Sequence, residues 1–523
     1  MKFENVPYID FTEFPNIENY KKTLNNLKDE LYQNPKKVPV IIDGKEIFTN
    51  TKPSKDPSTN ETIAEISWAD INHVNEALKN LDQGFSSWSN ISSNERINII
   101  NKAADLMEED RFRLAALITI EAGKPWKEAD ADVAEAIDFC RYYAIEMQKL
   151  STPRKTAQVL GEHSQYFYQP RGIAVVIAPW NFPLAILCGM SVAALVTGNV
   201  VAMKPAEQTS LIAYELAKIL YKAGIPNDAL CFLPGDGEVV GKTLVESSKT
   251  DMICFTGSRA VGLQILKSAA EIKPTQKSIK KVIAELGGKN AIIVDEDADL
   301  DEAIKGILYS AFGFSGQKCS ACSRVIAVGS AYEPLLERLS KAALDIIIGS
   351  AHDSGIYLGP VIDEETQKRL LSQIEKAKQE FKCIASGESP NQHGYFVPVH
   401  IFKDVPFNSW LWKDELFGPV LACAKVATFE DAISEAINSE YALTGGVYSR
   451  SPANIEYSIK AFKVGNLYIN RGCTGAIVER HPFGGFKMSG VGSKAGGPDY
   501  LLQFLEPRTV TENTMRRGFT PDL

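Results

Sequence analysis

Cys319 sits in FGFSGQKCSACSR, residues 312–324, among Gly313, Ser315, Gly316, Ser320 and Ala321. Small and polar neighbours leave a thiol open to a substrate, whereas an apolar run would bury it as core packing. With Cys322 it forms a CxxC, so zinc and a redox disulfide have to be weighed against a lone nucleophile. Zinc needs further ligands. No second CxxC exists, and the six histidines, His73, His163, His352, His393, His400 and His481, show no paired ligand spacing. A lone nucleophile is the preferred reading, with Cys322 as a small packing residue and no metal expected.

Two other residues suit such a thiol. Glu285 ends the apolar run KVIAE. Burial there would raise its pKa toward the range of a general acid or base, although a salt bridge would leave the same trace in sequence. Asn181, in PWNFP, either holds a turn between two prolines or offers its amide to an oxyanion.

The phosphate signals are weaker. GDGEVVGKT, residues 235–243, has five residues between its glycines where a P-loop has four. One extra residue disrupts the nest of N–H groups, so a loop starting a helix is expected there. FTGS, residues 255–258, follows the apolar run MICF and precedes Gly262. That order of strand, glycine turn and helix start can bring a helix N-terminus to a diphosphate, but any tight strand-to-helix turn reads alike.

These residues need a scaffold. Ile97, Ile100, Ala104 and Met107, and then Val133, Ile137, Cys140, Ala144 and Met147, recur at helical spacing, so the first 150 residues lean helical. From Ile173 short apolar runs alternate with helical stretches: IAVVIA, VVAM, ALCFL, MICF, KVIAEL, AIIV, RVIAV. Such alternation implies right-handed crossovers and a largely parallel sheet, an α/β fold. A boundary is expected at Gly287 and Gly288, where the alternation restarts. Near the end, PRTVTENT is β-branched and polar, which fits either a strand pairing with another subunit or a frayed tail.

At 523 residues the chain exceeds what one core usually supports, so two large domains are expected. The net charge of -9 and the lack of a Lys/Arg block argue against nucleic acid. The first twenty residues alternate acidic and aromatic types without a signal or transit pattern, and nine scattered cysteines suit a reducing compartment. A cytoplasmic protein is expected. No charge occurs from Ile173 to Met203, but Pro179, Asn181, Pro183, Gly198 and Asn199 break that run into strand, helix and strand, so no membrane span is expected.

Taken together, PWNFP (179–183), KPAEQTS (204–210), FTGS, ELGGKN (285–290), GQKC (316–319), ELFGPV (415–420) and PFGGFKMSG (482–490) make the chain resemble the aldehyde dehydrogenase superfamily from about Pro57 to Glu506. Within it, EAGKPWKEADADVAEAIDF (121–139), SAFGFSGQKCSACSR (310–324), GNLYINRGCTGAIV (465–478) and GSKAGGPDYL (492–501) are most similar to the 1-pyrroline-5-carboxylate dehydrogenases. One departure is Glu479, where glycine is expected, placing a charge near the substrate loop.

The resemblance implies a Rossmann-type cofactor domain (1–150 and 172–284), an α/β catalytic domain (285–485) and β segments for oligomerisation (151–171 and 486–523). It implies oxidation of L-glutamate γ-semialdehyde to glutamate, the last step of proline catabolism, by a homo-oligomer using NAD, with NADP possible. Cys319 would be the nucleophile, Glu285 the base that activates water, and Asn181 an oxyanion donor beside the Cys319 N–H. Cofactor contacts would come from Lys204 and Glu207 at the adenosine ribose, Gly257 and Ser258 at the diphosphate, and Glu415 with Phe417 at the nicotinamide ribose. Ala178, Pro179, Trp180 and Gly262 would complete that site. Ser320, Gly475 and Ala476 would anchor the substrate carboxylate between Phe182 and Phe483, with Glu135 nearby. Position on its helix alone would make Glu135 a solvated charge. The rival readings are an enzyme for another small aldehyde, an acylating relative, and a binding protein on the same fold. Glu285 and the retained trio argue against the last two.

Overall fold

The charge-free run folds as strand Ile173–Ile177, helix Ala185–Val196 and strand Val200–Lys204. A helix that is apolar all round has to be covered on every side, and nearly every residue of this one is buried. The computed structural model describes residues 2–390 and 393–515, and among them no helix is long and apolar enough to cross a membrane.

The two strands lie at the centre of an eight-stranded sheet. Its parallel part runs in the spatial order Lys281–Glu285, Met252–Thr256, Ile173–Ile177, Val200–Lys204, Leu230–Phe232. The first strand in sequence therefore lies between the second and the fourth. Chain crossovers leave in opposite directions on either side of it, which opens a crevice at the carboxyl ends of the strands. Ala178 to Asn181, Glu207, Gly257, Ser258 and Glu285 all lie at those ends.

The second sheet has seven strands in the order Lys382–Ser386, His400–Lys403, Val420–Val426, Cys322–Val328, Asn290–Val294, Thr444–Tyr448, Asn466–Ile469, and only its first pair is antiparallel. Apolar side chains up to Leu286 belong to one core, which Ile362, Val478, Tyr500, Leu501 and Phe504 also join, and most of those from Ala291 onward fill two others on the faces of this sheet. The change of core falls at Gly287 and Gly288, which join Glu285 to Asn290.

Five short strands in the N-terminal region, Lys36–Val38, Val40–Ile42, Lys45–Ile47, Thr51–Lys55 and Thr62–Ser67, interrupt the helical pattern expected there. Three of them are three residues long, too short for a period of two to register in sequence.

Within the segment 486–523, expected to bridge subunits, Gly490–Val491 adds to the first sheet and Leu501 and Phe504 are fully buried in the first core. Among the described residues of this segment, Leu505–Asn513 is exposed from Glu506 onward. It pairs antiparallel with Glu162–Pro170 of the same chain, Leu505 opposite Pro170 and Asn513 opposite Glu162. Residues 516–523 lie outside the described residues.

Candidate active site

The helix Leu300–Phe312 ends in a tight loop before the strand Cys322–Val328. Phe314, Ser315 and Gly316 have φ of 50°, 56° and 68°. Consecutive left-handed residues cost roughly 1–2 kcal/mol each for non-glycine types, so the surroundings must hold them. Ser315 Oγ donates to Gly359 O at 2.7 Å, and the Gln317 side chain accepts from Ile362 N at 3.0 Å. At Gly316 a Cβ would lie 2.4 Å from Gly418 O, so glycine is required.

Each carbonyl from Gln317 to Ala321 then finds a donor. Gln317 O accepts from Asn181 Nδ2 at 2.9 Å and Lys318 O from Ala321 N at 3.0 Å. Cys319 O and Ala321 O both accept from Asn290 Nδ2, at 2.8 and 2.9 Å, and Ser320 O accepts from Thr444 Oγ1 at 3.3 Å. With the carbonyls drawn away, the N–H groups of Cys319 and Ser320 are turned to the Cys319 sulfur, where they favour the thiolate. Burial outweighs them and, with Glu415 and Glu285 nearby, pushes the thiol up to about 12.

Glu285 ends its strand inside the protein. Burial raises its carboxyl to about 8, opposed by the Lys494 ammonium and the Gly485 N–H. Its Oε2 has no hydrogen-bond partner among the described residues. Gly484 makes room for this carboxyl, since a Cβ there would lie 2.9 Å from Glu285 Oε1. Lys494 Nζ in turn donates to Gly465 O, Asn466 Oδ1 and Gly484 O at 2.8, 3.0 and 2.6 Å, which pins the loop between Glu285 and Phe483. Glu415 rests on the other side: its Oε1 accepts from Gly288 N at 2.8 Å, and burial raises its carboxyl to about 7.

Ser320 ties the thiol loop to GCTGA, residues 472–476, because its Oγ lies 2.6 Å from Thr474 Oγ1. Gly475 has φ 75°, and a Cβ on it would meet the Tyr309 hydroxyl at 3.5 Å. Phe182 and Phe483 are both half-buried. The Phe182 ring is 3.8 Å from the ammonium of Lys124, which is fully buried and paired with Asp132 at 2.8 Å. Phe483 is held by paired backbone bonds with Ala495 of 2.9 and 2.7 Å. Glu135 is not the solvated charge its helical position suggested. It is half-buried, and burial with Asp132 beside it raises its carboxyl to about 8. Cys322 is buried, its thiol against that of Cys473. Glu479 is exposed with φ 66°, in the left-handed region where glycine, the residue expected there, would be unstrained.

On the cofactor side, Lys204 Nζ donates to Glu207 Oε1 at 2.7 Å. A cavity of about 110 Å³ is lined by Ile177, Lys204, Gly237, Lys242, Val261 and Ile265, among others. Ser258 caps the helix Arg259–Ala270 by accepting from Val261 N. Gly257 N–H is committed to Glu285 O at 3.1 Å, and Gly262 lets the helix settle on Leu286, where a Cβ would come within 2.3 Å. These two glycines permit close approach, and the donors at this point are the first-turn N–H groups of the helix. Ala178 is buried and Pro179 half-buried at the end of the first central strand, and Trp180 sets its ring edge-on to Phe417 with centroids 5.6 Å apart.

Residues 45–510 match the aldehyde dehydrogenase family. The chain belongs to that family. A 1-pyrroline-5-carboxylate dehydrogenase of Geobacillus thermodenitrificans (strain NG80-2) is 44% identical over 512 residues, 98% of this chain and 99% of the relative. The crystal structure of a 1-pyrroline-5-carboxylate dehydrogenase from Thermus with bound NAD superposes with a TM-score of 0.96 at 40% identity, covering 98% of this chain and 99% of that one. Proline utilization A (PutA) from Bdellovibrio bacteriovorus, crystallised after inactivation by N-propargylglycine, gives a TM-score of 0.97 at 48% identity over the whole chain, which spans 54% of that longer protein.

In this aldehyde dehydrogenase, three features lay beyond reading by motif. Asn290 holds the thiol loop, Lys494 holds the loop beside Glu285, and the GDGEVVGKT stretch lines the cavity at Lys204. Asn290 and Lys494 fall inside ELGGKN and GSKAGGPDYL, runs that carry the resemblance without assigning either residue a role. The glycines of GDGEVVGKT fail the P-loop spacing, yet they sit where a chain starts a helix beside the strand ends.

Proposed function

We propose that this aldehyde dehydrogenase oxidises L-glutamate γ-semialdehyde, the open form of 1-pyrroline-5-carboxylate, to L-glutamate with NAD. The observation that carries the reading is the Ser320–Thr474 bond, which puts a small-residue loop suited to an anion directly beside the thiol.

The cofactor fits the groups at the crevice. Lys204, which lines the cavity, holds the Glu207 carboxylate, which would accept from ribose hydroxyls, and the helix start at Ser258 would take the diphosphate. Glu415, anchored on Gly288, would hold the second ribose. NAD, when bound, supplies the hydride acceptor.

The chain's own groups do the rest. Cys319 gives up its proton to solvent and adds as the thiolate to the aldehyde carbon, and the new oxyanion is held by the Cys319 N–H and by the Asn181 amide, whose second hydrogen is not engaged by Gln317 O. Loss of hydride leaves a thioester on Cys319. Glu285, its Oε2 unpartnered in a buried pocket, takes a proton from the water that cleaves that thioester. The first-turn N–H groups and the GCTGA backbone position the ends of the reactants while this happens.

Intact-mass analysis during turnover of 1-pyrroline-5-carboxylate tests the reading. A glutamyl adduct is expected on the protein with Glu285→Gln and not on the protein with Cys319→Ala. An adduct that persists after Cys319→Ala would overturn the assignment.

A further inference from the structure

We infer that Asn290 is a positioning residue for Cys319, a clamp that fixes the reactive loop through its backbone. Its side chain is 2% exposed and uses every direction open to it. Oδ1 accepts from Thr444 N at 3.0 Å, which settles which way the amide faces. Nδ2 then has to face the loop, where it donates to Cys319 O and Ala321 O at 2.8 and 2.9 Å. One planar amide thus straddles the thiol-bearing residue from behind.

The surroundings are built for this contact. Asn290 opens its strand opposite Cys322, and the register slips between Asn290 and Ala291, so the side chain leaves the regular ladder. Gly288 clears its path, since a Cβ there would lie 2.6 Å from Cys319 O and 2.8 Å from Asn290 Oδ1. An Asn at a strand bulge could satisfy one carbonyl and a solvent molecule. Here it bridges two carbonyls of the loop and a third strand.

The consequence for chemistry follows from the peptide plane. Holding Cys319 O on the Asn290 side turns the Ser320 N–H of the same peptide to the opposite side, toward the sulfur. Freed, that peptide could rotate, and the thiolate would lose a donor in a buried pocket where each one counts.

This inference rests on Cys319 being the nucleophile, so the experiment separates the two. Asn290→Asp keeps the shape and the acceptor for Thr444 N–H but cannot donate to both carbonyls, and Asn290→Ala removes the clamp. Both are compared with the unaltered protein and with Cys319→Ala for iodoacetamide alkylation across pH, kcat and KM for 1-pyrroline-5-carboxylate, and NAD binding. With the clamp lost, Cys319 alkylation and kcat are expected to fall at least tenfold and the alkylation profile to move to higher pH. NAD binding and KM should stay within about threefold. A purely structural role would lower apparent kcat and NAD-binding capacity together with the folded fraction and leave the pH profile of the remaining folded protein unchanged. Rates and pH profile within twofold of the unaltered protein would overturn the clamp, as would failure of both variants to give a cooperative melt. Activity retained by Cys319→Ala would overturn the nucleophile itself.

Discussion

Asn181 Nδ2 donates to Gln317 O at 2.9 Å, joining the turn after the first central strand to the loop that carries Cys319. The bond crosses from one sheet to the other, so it ties the proposed oxyanion donor directly to the loop of the proposed nucleophile. Asn181→Ala is expected to lower kcat by roughly 10²–10³, the usual effect of losing one oxyanion donor. NAD affinity should change little. Steady-state kinetics with cofactor titration checks both.

Glu285 sets the pH dependence. Its carboxyl is raised to about 8 by burial, so below that pH it is mostly protonated and cannot accept a proton from water. Thioester hydrolysis should therefore rise with pH through about 8. Glu285→Gln should abolish that limb and leave a burst of reduced cofactor followed by slow turnover, as rapid-mixing absorbance would record.

Glu207 should set the cofactor preference. A carboxylate held by Lys204 at 2.7 Å repels a 2′-phosphate, so NAD is expected to be favoured over NADP by at least about tenfold, worth about 1.4 kcal/mol. Glu207→Gln should narrow the ratio. Catalytic efficiencies for both cofactors, before and after the change, measure it.

Ala476 belongs to the proposed carboxylate anchor. Gly475 beside it has φ 75°, and a Cβ on it would lie 3.5 Å from the Tyr309 hydroxyl. Ala476→Phe should obstruct carboxylate binding. Two lost charge-assisted bonds at roughly 1.5–3 kcal/mol each amount to about two to four orders of magnitude in kcat/KM for 1-pyrroline-5-carboxylate. Butanal should be affected far less.

What could be read in sequence follows a physical line. The central strands, such as Ile173–Ile177, Val200–Lys204 and Asn290–Val294, are buried almost throughout, so their apolar runs are continuous and most of their ends fall near glycine or proline. Glu285, Asn181 and Cys319 each break a local rule, a charge ending an apolar strand, an amide between prolines, a thiol among small residues. Asn290 and Lys494 break none. Each looks like an ordinary polar residue in a turn, and its work is done on backbone carbonyls that carry no identity in sequence. Position on its helix alone makes Glu135 look like a solvated charge, because helical position reports which side a residue takes and not what packs there, here the Lys124–Asp132 pair.

The most direct measurement is kcat/KM for 1-pyrroline-5-carboxylate against butanal on the unaltered protein, read as reduced nicotinamide with NAD in excess. The amino-acid aldehyde is expected to be favoured by about two to four orders of magnitude, the value of two carboxylate contacts at Ser320 and the GCTGA loop. Equal efficiency on the two substrates would contradict the anchor and leave an aldehyde dehydrogenase of some other specificity.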